Sequence, residues 1–271
     1  MDIPLQIYGA LSLLGIATGF LAGLLGVGGG MLMVPFLTAM ITYLGVPADV
    51  AVKMGIATSM ATIIFTSMSS VRAHHKRGAV RWEIVRHLSP GIILGGALAS
   101  AGVFALVKGT AIAICFGLFV FASATQMLRK STPKPTRQMP GPAGQFTAGA
   151  VIGFFSGLVG AGGGFLSVPF MTRSNVPLHN AVATSAALGF PIALVNAIGY
   201  VISGYTASGR PGGAFGFLWL PGLLTISIFS VLMAPVGARM AHSLPVATLK
   251  KAFAAILYYA AVYMLWKGLH G

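Results

Sequence analysis

Long apolar runs separated by short polar breaks fill most of the chain. Five such runs precede a polar stretch that begins at Arg129, and five follow it. Runs of this kind with few charges are typical of helices that cross a membrane. The pattern predicts an all-α, polytopic membrane protein with 8–10 transmembrane helices. The runs cover residues 5–26, 31–44, 51–71, 88–107, 110–128, 144–160, 164–172, 181–204, 215–238 and 246–266.

The polar stretch between the two sets of runs, RKSTPKPTRQMPGPAG, is rich in proline and basic residues. This composition is unfavourable for a membrane span or a packed core. We therefore divide the chain into a first transmembrane repeat at 1–129, a cytoplasmic linker at 130–143 and a second transmembrane repeat at 144–271.

The two halves share three sequence blocks in the same order. GLLGVGGGMLMVPF from Gly23 matches GLVGAGGGFLSVPF from Gly157. VPADVAV from Val46 matches VPLHNAV from Val176, and the tripeptide ATS follows in both halves. The shared order predicts that the halves are structural repeats of about five segments each.

The composition supports a membrane protein and explains the basic charge. Hydrophobic residues make up 56% of the chain and charged residues 7%, against about a quarter charged in a soluble domain. The formal charge of +14 comes from Lys and Arg at the ends of apolar runs and in loops, without a basic stripe interleaved with aromatic residues. We therefore expect these basic residues to lie at the surface of the bilayer and not to bind a nucleic acid.

The distribution of Lys and Arg also predicts the topology. If the loop from Arg72 to His87 is cytoplasmic, the linker, Arg173 and 239–251 lie on the same side and carry most of the 17 basic residues. Both termini are then on the periplasmic side of the inner membrane, and the odd number of segments inverts the second half. Inverted repeats recur in secondary transporters, with the substrate near the midplane between them.

Several other kinds of site are not expected. The single cysteine, Cys115, excludes an intrachain disulfide. His74, His75 and His87 have no Cys or carboxylate in metal-ligand spacing, so we predict no metal and no cofactor. The absence of a nucleophile with a paired base argues against an enzyme. The N-terminal run is interpreted as a first span and not as a removed signal peptide.

Each half contains three adjacent glycines followed by a short apolar run. The run 31–44 would reach roughly 21 Å as a helix, short of a hydrocarbon core of roughly 30 Å. Both short runs are therefore predicted to be half-helices or re-entrant segments at the repeat interface, buried in protein or lining a cavity. The free N–H groups and the dipole at the start of such a helix favour an anion. The predicted substrate-binding glycines are Gly28, Gly29, Gly30, Gly162, Gly163 and Gly164, and the predicted helix breaks are Pro35 and Pro169.

A packing role is the alternative explanation for these glycines. The spacings Gly19-x-x-x-Gly23 and Gly153-x-x-x-Gly157 fit the small-residue pattern of close helix pairs. There we expect packing alone.

The doubled motif, with its following VP…AV and ATS blocks, resembles the TauE/SafE family of membrane proteins, the sulfite exporter or toluenesulfonate uptake permease family. The resemblance covers nearly the whole chain. It implies transport of sulfur-containing anions such as sulfite, sulfoacetate and other organosulfonates, mostly by export. The sulfur chemistry rests on this resemblance alone.

Polar side chains inside the apolar runs are further candidates for substrate binding. Hydroxyls in such helices most often bond to their own backbone carbonyl, yet their recurrence beside the glycine breaks favours a ligand role. An asparagine is costly in lipid unless it is paired, so it either holds a helix contact or binds substrate. The candidates are Thr58, Ser59, Thr184, Ser185 and Asn196.

Three charged or titratable residues are candidates for anion attraction or ion coupling. Asp49 precedes Lys53 by four residues, a spacing that suits a surface ion pair better than a proton relay. Lys53 could instead attract anions. His179 is the repeat equivalent of Asp49 and is expected to lie at a membrane edge as a snorkelling or capping residue.

These features predict a secondary transporter for a small sulfur-containing anion. We expect export by alternating access, because an inside-negative potential supplies roughly 2.3 kcal/mol per charge per 100 mV. The alternatives are uptake coupled to H⁺ or Na⁺, an anion channel, and a membrane scaffold or assembly protein that does not transport. A homodimer is possible.

Overall fold

The computed structural model describes residues 4–25, 29–128, 138–240 and 246–270. The first half contains α1 (Leu5–Leu25), α2 (Gly30–Tyr43), α3 (Ala48–His75), α4 (Trp82–Ala97), a π-helical stretch (Leu98–Val103), α5 (Phe104–Leu106) and α6 (Gly109–Leu128). The second half contains α7 (Pro142–Val159), α8 (Gly164–Arg173), α9 (Leu178–Gly204), the strands β1 (Ala214–Phe215) and β2 (Leu218–Trp219), α10 (Leu220–Met240) and α11 (Val246–His270).

The described residues form an all-α membrane architecture, as the sequence predicts. Eight helical stretches among them are long and apolar enough to cross a membrane, and α2 is a shorter apolar helix. Each of the ten predicted runs corresponds to one main helix, and most helix ends lie within a few residues of the predicted ones. The largest differences are at two helix starts: α4 begins at Trp82, six residues before the run 88–107, and α10 begins at Leu220, five residues into the run 215–238 and after the antiparallel pair of β1 and β2.

The two long helices α3 and α9 occupy the centre of the molecule. About 83% of the apolar window of α3 and 67% of that of α9 are buried, whereas the other candidate spans are buried by half or less. The outer helices expose large apolar side chains such as Leu5, Leu224 and Tyr259, as expected for a surface that faces lipid.

The first helix of each half packs against a helix of the other half, α1 against α10 and α7 against α4. A methyl group on Gly19 would lie 2.4 Å from the carbonyl oxygen of Ser230, and one on Gly153 would lie 2.3 Å from that of Ile92. Only glycine permits backbones to approach this closely. The predicted packing role of the glycines in α1 and α7 agrees with these contacts.

Two pairs of corresponding helices run antiparallel, α3 with α9 and α6 with α11. Asn180, near the start of α9, donates to the carbonyl oxygen of Ala79 just beyond the end of α3, at 2.8 Å. Late in α6, Thr125 bonds to Tyr258 in the middle of α11, with 2.8 Å between the hydroxyl oxygens. A methyl group on Gly268, near the end of α11, would lie 2.8 Å from the carbonyl oxygen of Thr110 at the start of α6. These two pairs have the geometry that an inverted repeat requires, and the inverted repeat itself stays a prediction. The orientation of each half across the membrane and the domain boundaries stay predictions.

Candidate functional site

Both short helices begin at a glycine with left-handed backbone. Gly29 precedes α2 with φ of 71°, and Gly163 precedes α8 with φ of 75°. In each helix, two amides of the first turn donate to the carbonyl oxygen of that glycine, at 2.8–3.3 Å. The first two backbone amides of each helix come before these and have no acceptor within the helix. The paired glycine motifs thus produce two equivalent helix starts, one in each half.

The two glycine breaks touch each other in the interior. A methyl group on Gly30 would lie 2.4 Å from the carbonyl oxygen of Gly160, which follows α7. The buried hydroxyl of Ser59 lies between them, 3.4 Å from the carbonyl oxygens of both Gly30 and Gly160. We call this meeting of Gly30, Ser59 and Gly160 the junction. Gly28 lies outside the described residues.

A small cavity lies beside the second break. Its volume of about 10 Å³ has room for about one water molecule. It is enclosed by α1, α3, α9 and the loop before α8, and among the described residues that line it none is charged. The lining consists of Ala22, Thr66, Ser67, Ser70, Gly162, Ser185, Ala186 and Gly189.

Hydroxyl groups dominate the polar part of this region. Ser167 donates to Ser185 with 2.9 Å between the oxygens, and Thr66 bonds to Ser230 of α10 at 2.7 Å. The buried hydroxyls of Ser70 and Ser156 have no hydrogen-bond partner among the described residues. Ser156 is next to the second break, 3.4 Å from the position of a methyl group on Gly163. These two hydroxyls are available to a ligand.

The threonines of the two ATS tripeptides connect the halves. The hydroxyl of Thr58 accepts the N–H of Trp219 at 2.9 Å, and that of Thr184 accepts the N–H of Arg81 at 3.0 Å. Trp219 and Arg81 immediately precede α10 and α4, so each threonine holds the start of a helix in the other half. The serines of the two ATS tripeptides reach the candidate site instead: Ser59 lies at the junction, and Ser185 lines the cavity.

Comparison with known proteins places this architecture in a family. The model of the family described as sulfite exporter TauE/SafE matches residues 11–264. The chain belongs to the TauE/SafE family. A probable membrane transporter protein of Haemophilus influenzae is 32% identical over 255 residues, which cover 94% of this chain and 97% of that protein.

More distant relatives agree with the family assignment. A probable membrane transporter protein of Methanocaldococcus jannaschii is 27% identical, covering 83% of this chain and 81% of that protein. The YunE protein of Bacillus subtilis, also a probable membrane transporter, is 29% identical over 76% of this chain and 84% of that protein. No solved structure matches. The family and these relatives indicate that the TauE/SafE chain is a multi-pass membrane transporter.

The prediction that Pro35 and Pro169 break the helices of this TauE/SafE chain is wrong. α2 continues past Pro35 to Tyr43, and α8 continues past Pro169 to Arg173. A proline removes one backbone donor, and neighbouring helices compensate for that loss in membrane proteins. The breaks lie at the glycines.

Asn196 of the TauE/SafE chain lies in α9 between two helices of the same region. Its side-chain amide donates to the carbonyl oxygen of Ile192 at 2.7 Å. It fills the space beside Gly96 of α4 and Gly157 of α7, where a methyl group on Gly157 would lie 2.3 Å from its Oδ1. Asn196 does not line the cavity beside Gly162.

The predicted surface pair of Asp49 and Lys53 is wrong. Lys53 is only 8% exposed, and its ammonium lies over the rings of Phe104 and Phe217, 5.9 and 5.6 Å from their centroids. A buried ammonium is stabilised there by cation–π attraction. The carboxylate of Asp49 instead accepts the N–H groups that open α6, from Gly109 at 2.5 Å and from the next residue at 3.4 Å.

His179 is exposed and is the second residue of α9, as Asp49 is of α3. His179 and Asp49 therefore occupy equivalent positions in the two halves, but their side chains have different surroundings. Its neighbour Asn180 is buried and makes the contact to the loop after α3 described above. None of Asp49, Lys53 and His179 lines the cavity.

The hydroxyls of α3 that line the cavity were not among the residues predicted from the sequence. The signal was a stripe of hydroxyl residues four positions apart, a spacing that places side chains on one face of a helix. The stripe consists of Thr58, Thr62, Thr66 and Ser70.

The position of Asp49 predicts a stability effect. In Asp49→Ala the start of α6 loses its acceptor and the favourable charge at its N-terminus, so the protein should lose about 1–2 kcal/mol. Asp49→Asn keeps an acceptor oxygen and should lose less than half of that. Thermal unfolding of both variants in one detergent measures the difference. Equal stability of Asp49→Ala and the unmodified protein would contradict the capping role.

Proposed function

We propose that this protein exports a small sulfur-containing anion across the inner membrane by alternating access, with its binding site at the junction and the adjacent cavity. The supporting observation is the contact between Gly30 and Gly160, through which the two glycine breaks meet inside the protein. The expected ligand groups are the backbone amides that open α2 and α8, together with the hydroxyls of Ser70 and Ser156.

The donor set suits an oxyanion. Backbone N–H groups at a helix start and hydroxyl groups donate hydrogen bonds, and the helix dipole adds partial positive charge. No carboxylate is among the described residues that line the cavity, so none of these would repel an anion there. Sulfite, sulfoacetate and other organosulfonates present sulfur-bound oxygens to such donors. The sulfur specificity comes from the family description, since the donors would also accept other oxyanions.

The cavity has to widen for transport. Its room for about one water molecule is too small for a sulfonate group. The central helices α3 and α9 form two of its walls, while the close pairs α1–α10 and α7–α4 each join one half to the other. We propose that the two pairs move as units against the central helices, so that the site opens to one side at a time.

The charges support export. The acidic residues of the described chain are Asp49 and Glu83, and neither lines the cavity. A site without a buried carboxylate has no evident proton relay. The membrane potential alone favours outward movement of an anion by roughly 2.3 kcal/mol per charge per 100 mV.

Anion flux in proteoliposomes tests this proposal. The panel is sulfite, sulfoacetate, sulfate, thiosulfate and acetate, first with an imposed potential and then with an imposed pH gradient. We expect a sulfur-containing anion to move under potential alone, at carrier rates that saturate with concentration. Flux that requires a pH gradient would refute the uncoupled mechanism and return attention to Asp49 and His179. If no panel member moves, the proposed transport of a sulfur-containing anion is wrong.

A further inference from the structure

A second, larger recess lies on the outer side of α3, away from the junction. It is a groove of about 520 Å³ between α3 and α10, and it is open to the surroundings of the protein. α3 separates it from the small cavity, since Thr66 and Ser67 face the cavity while Phe65 and Met68 face the groove. The groove is lined by Phe65, Met68, Ser69, Arg72, Ala73, Lys76, Arg77, Val231, Pro235 and Arg239.

One end of the groove is strongly basic. Arg72, Lys76 and Arg77 come from the last turns of α3 and the residues after it, and Arg239 comes from the last turn of α10. Among the described residues that line the groove, none is acidic. Arg77 donates to the carbonyl oxygen of Ala238 at 3.1 Å, which fixes its side chain beside α10.

The other end of the groove is apolar and exposed. Phe65 is 45% exposed and Met68 38% exposed, and Val231 lies opposite them on α10. Both helices are candidate membrane spans, and they end at His75 and Met240. The cations therefore lie where α3 and α10 leave the apolar part of the membrane, and the apolar end lies within it.

We propose that this groove is a binding site for an anionic phospholipid, with the headgroup phosphate among the four cations and an acyl chain along Phe65 and Met68. Arginine binds phosphate through two parallel hydrogen bonds, and basic pockets between transmembrane helices bind anionic headgroups in this manner. The hydroxyl of Ser69 on α3 donates to the carbonyl oxygen of Val231 on α10 at 2.8 Å, and this hydrogen bond holds the two walls of the groove together.

The apolar half of the groove decides in favour of a lipid over a small soluble anion. A free anion needs only the cations, whereas exposed Phe65 and Met68 offer it nothing. From Phe65 to Lys76 the helix rises by roughly 16 Å, which fits a headgroup and the first part of an acyl chain. The groove also opens outward, where lipid lies, and not toward the junction.

Native mass spectrometry of the full-length protein tests the proposal. The protein is equilibrated in detergent with phosphatidylglycerol and phosphatidylcholine of identical acyl chains, and the retained adducts are compared. We expect preferential retention of phosphatidylglycerol. Each basic side chain near a membrane surface raises anionic-lipid affinity about fivefold, so Arg72→Gln with Arg239→Gln should lower it about 25-fold.

Arg86→Gln is the matched control. Arg86 is an exposed cation of α4 that does not line the groove, so this variant should retain phosphatidylglycerol as the unmodified protein does. Equal retention of the two lipids, or full retention in the double variant, would overturn the proposal.

Competition with inorganic phosphate at constant ionic strength separates a lipid site from a general anion site. Phosphatidylglycerol should remain bound, because the acyl chain supplies part of the affinity. Displacement by phosphate at comparable concentration would show that the groove binds free anions and would refute the lipid proposal. The experiment measures no flux, so its failure would not affect the proposed transport function.

Discussion

Replacing Gly163 with alanine should reduce transport at least about tenfold while the protein still inserts into the membrane. The backbone of Gly163 is left-handed, with φ of 75°, and a methyl group there would lie 2.3 Å from Cδ1 of Ile192. A side chain in this conformation costs about 1–2 kcal/mol, and the contact adds to that cost. Cδ1 of Ile192 ends a flexible side chain and can move aside, so the left-handed backbone carries most of the cost. Relief of that strain would shift the start of α8, and with it the amides that we expect to bind the anion.

Gly29→Ala should have the same effect in the other half. Its φ is 71°, and a methyl group there would lie 2.8 Å from the carbonyl oxygen of Thr18, a backbone atom that cannot easily move. Loss of transport in both variants would be consistent with the proposal that both breaks contribute to one site. Normal transport in either variant would show that the glycine break concerned is not part of the substrate site.

Gly45→Ala separates this effect from backbone strain in general. Gly45 also has a positive φ, of 84°, but nothing lies within 4 Å of a methyl group at that position. It is in the loop after α2, away from the junction. We expect a similar loss of stability with transport retained. Flux should be measured on reconstituted protein, normalised to the amount that elutes as a single peak in size-exclusion chromatography.

Replacing Gly189 with alanine should reduce transport about tenfold without destabilising the protein. Gly189 lies within α9 and lines the small cavity. A methyl group there would lie 3.3 Å from Cβ of Ser67 and 3.9 Å from the carbonyl oxygen of Gly162, so it would occupy the space of the cavity. Alanine in a helix interior is more favourable than glycine by up to about 1 kcal/mol, which offsets the tight contact. A stable protein that does not transport would be the strongest argument against a scaffold role.

Gly9→Ala is the control for this substitution. Gly9 is also helical, in α1, and nothing lies within 4 Å of a methyl group at that position. Its transport and melting temperature should match or exceed those of the unmodified protein. If Gly189→Ala transports at the normal rate, the cavity lies outside the substrate path and the proposed site must be confined to the junction.

Most of the helices were predictable because they are bounded by polar residues or by glycine and proline. The extent of the apolar runs therefore located the ends of α2 and α9 closely. The strands before α10 were missed because the stretch from Ala214 to Trp219 is as apolar as a helix, and short apolar runs do not distinguish the two structures. The continuation of α2 beyond Pro35 depends on neighbouring helices, which a local rule does not include.

The candidate site was predicted only in part. The repeated motif identified Gly29 and Gly163 as helix starts, since a conformational requirement of one residue can be recognised locally. The partners of Thr58 and Asp49 were not predictable, because Trp219 and Gly109 are far away in the sequence. Lys53 was misassigned for the same reason: the two rings that cover it come from residues 104 and 217.

The packing of α1 against α10, a helix of the other half, affects the order in which the chain can assemble. The glycines of α1 that pack closely against α10, among them Gly19, are synthesised roughly 200 residues before their partner. At about 5–20 residues per second, α1 waits roughly 10–40 s for α10. During that time its glycine face lies against lipid, the translocation machinery or a temporary partner. Assembly intermediates trapped by stopping translation before residue 220 should therefore expose the glycine face of α1 to crosslinking, and complete chains should not.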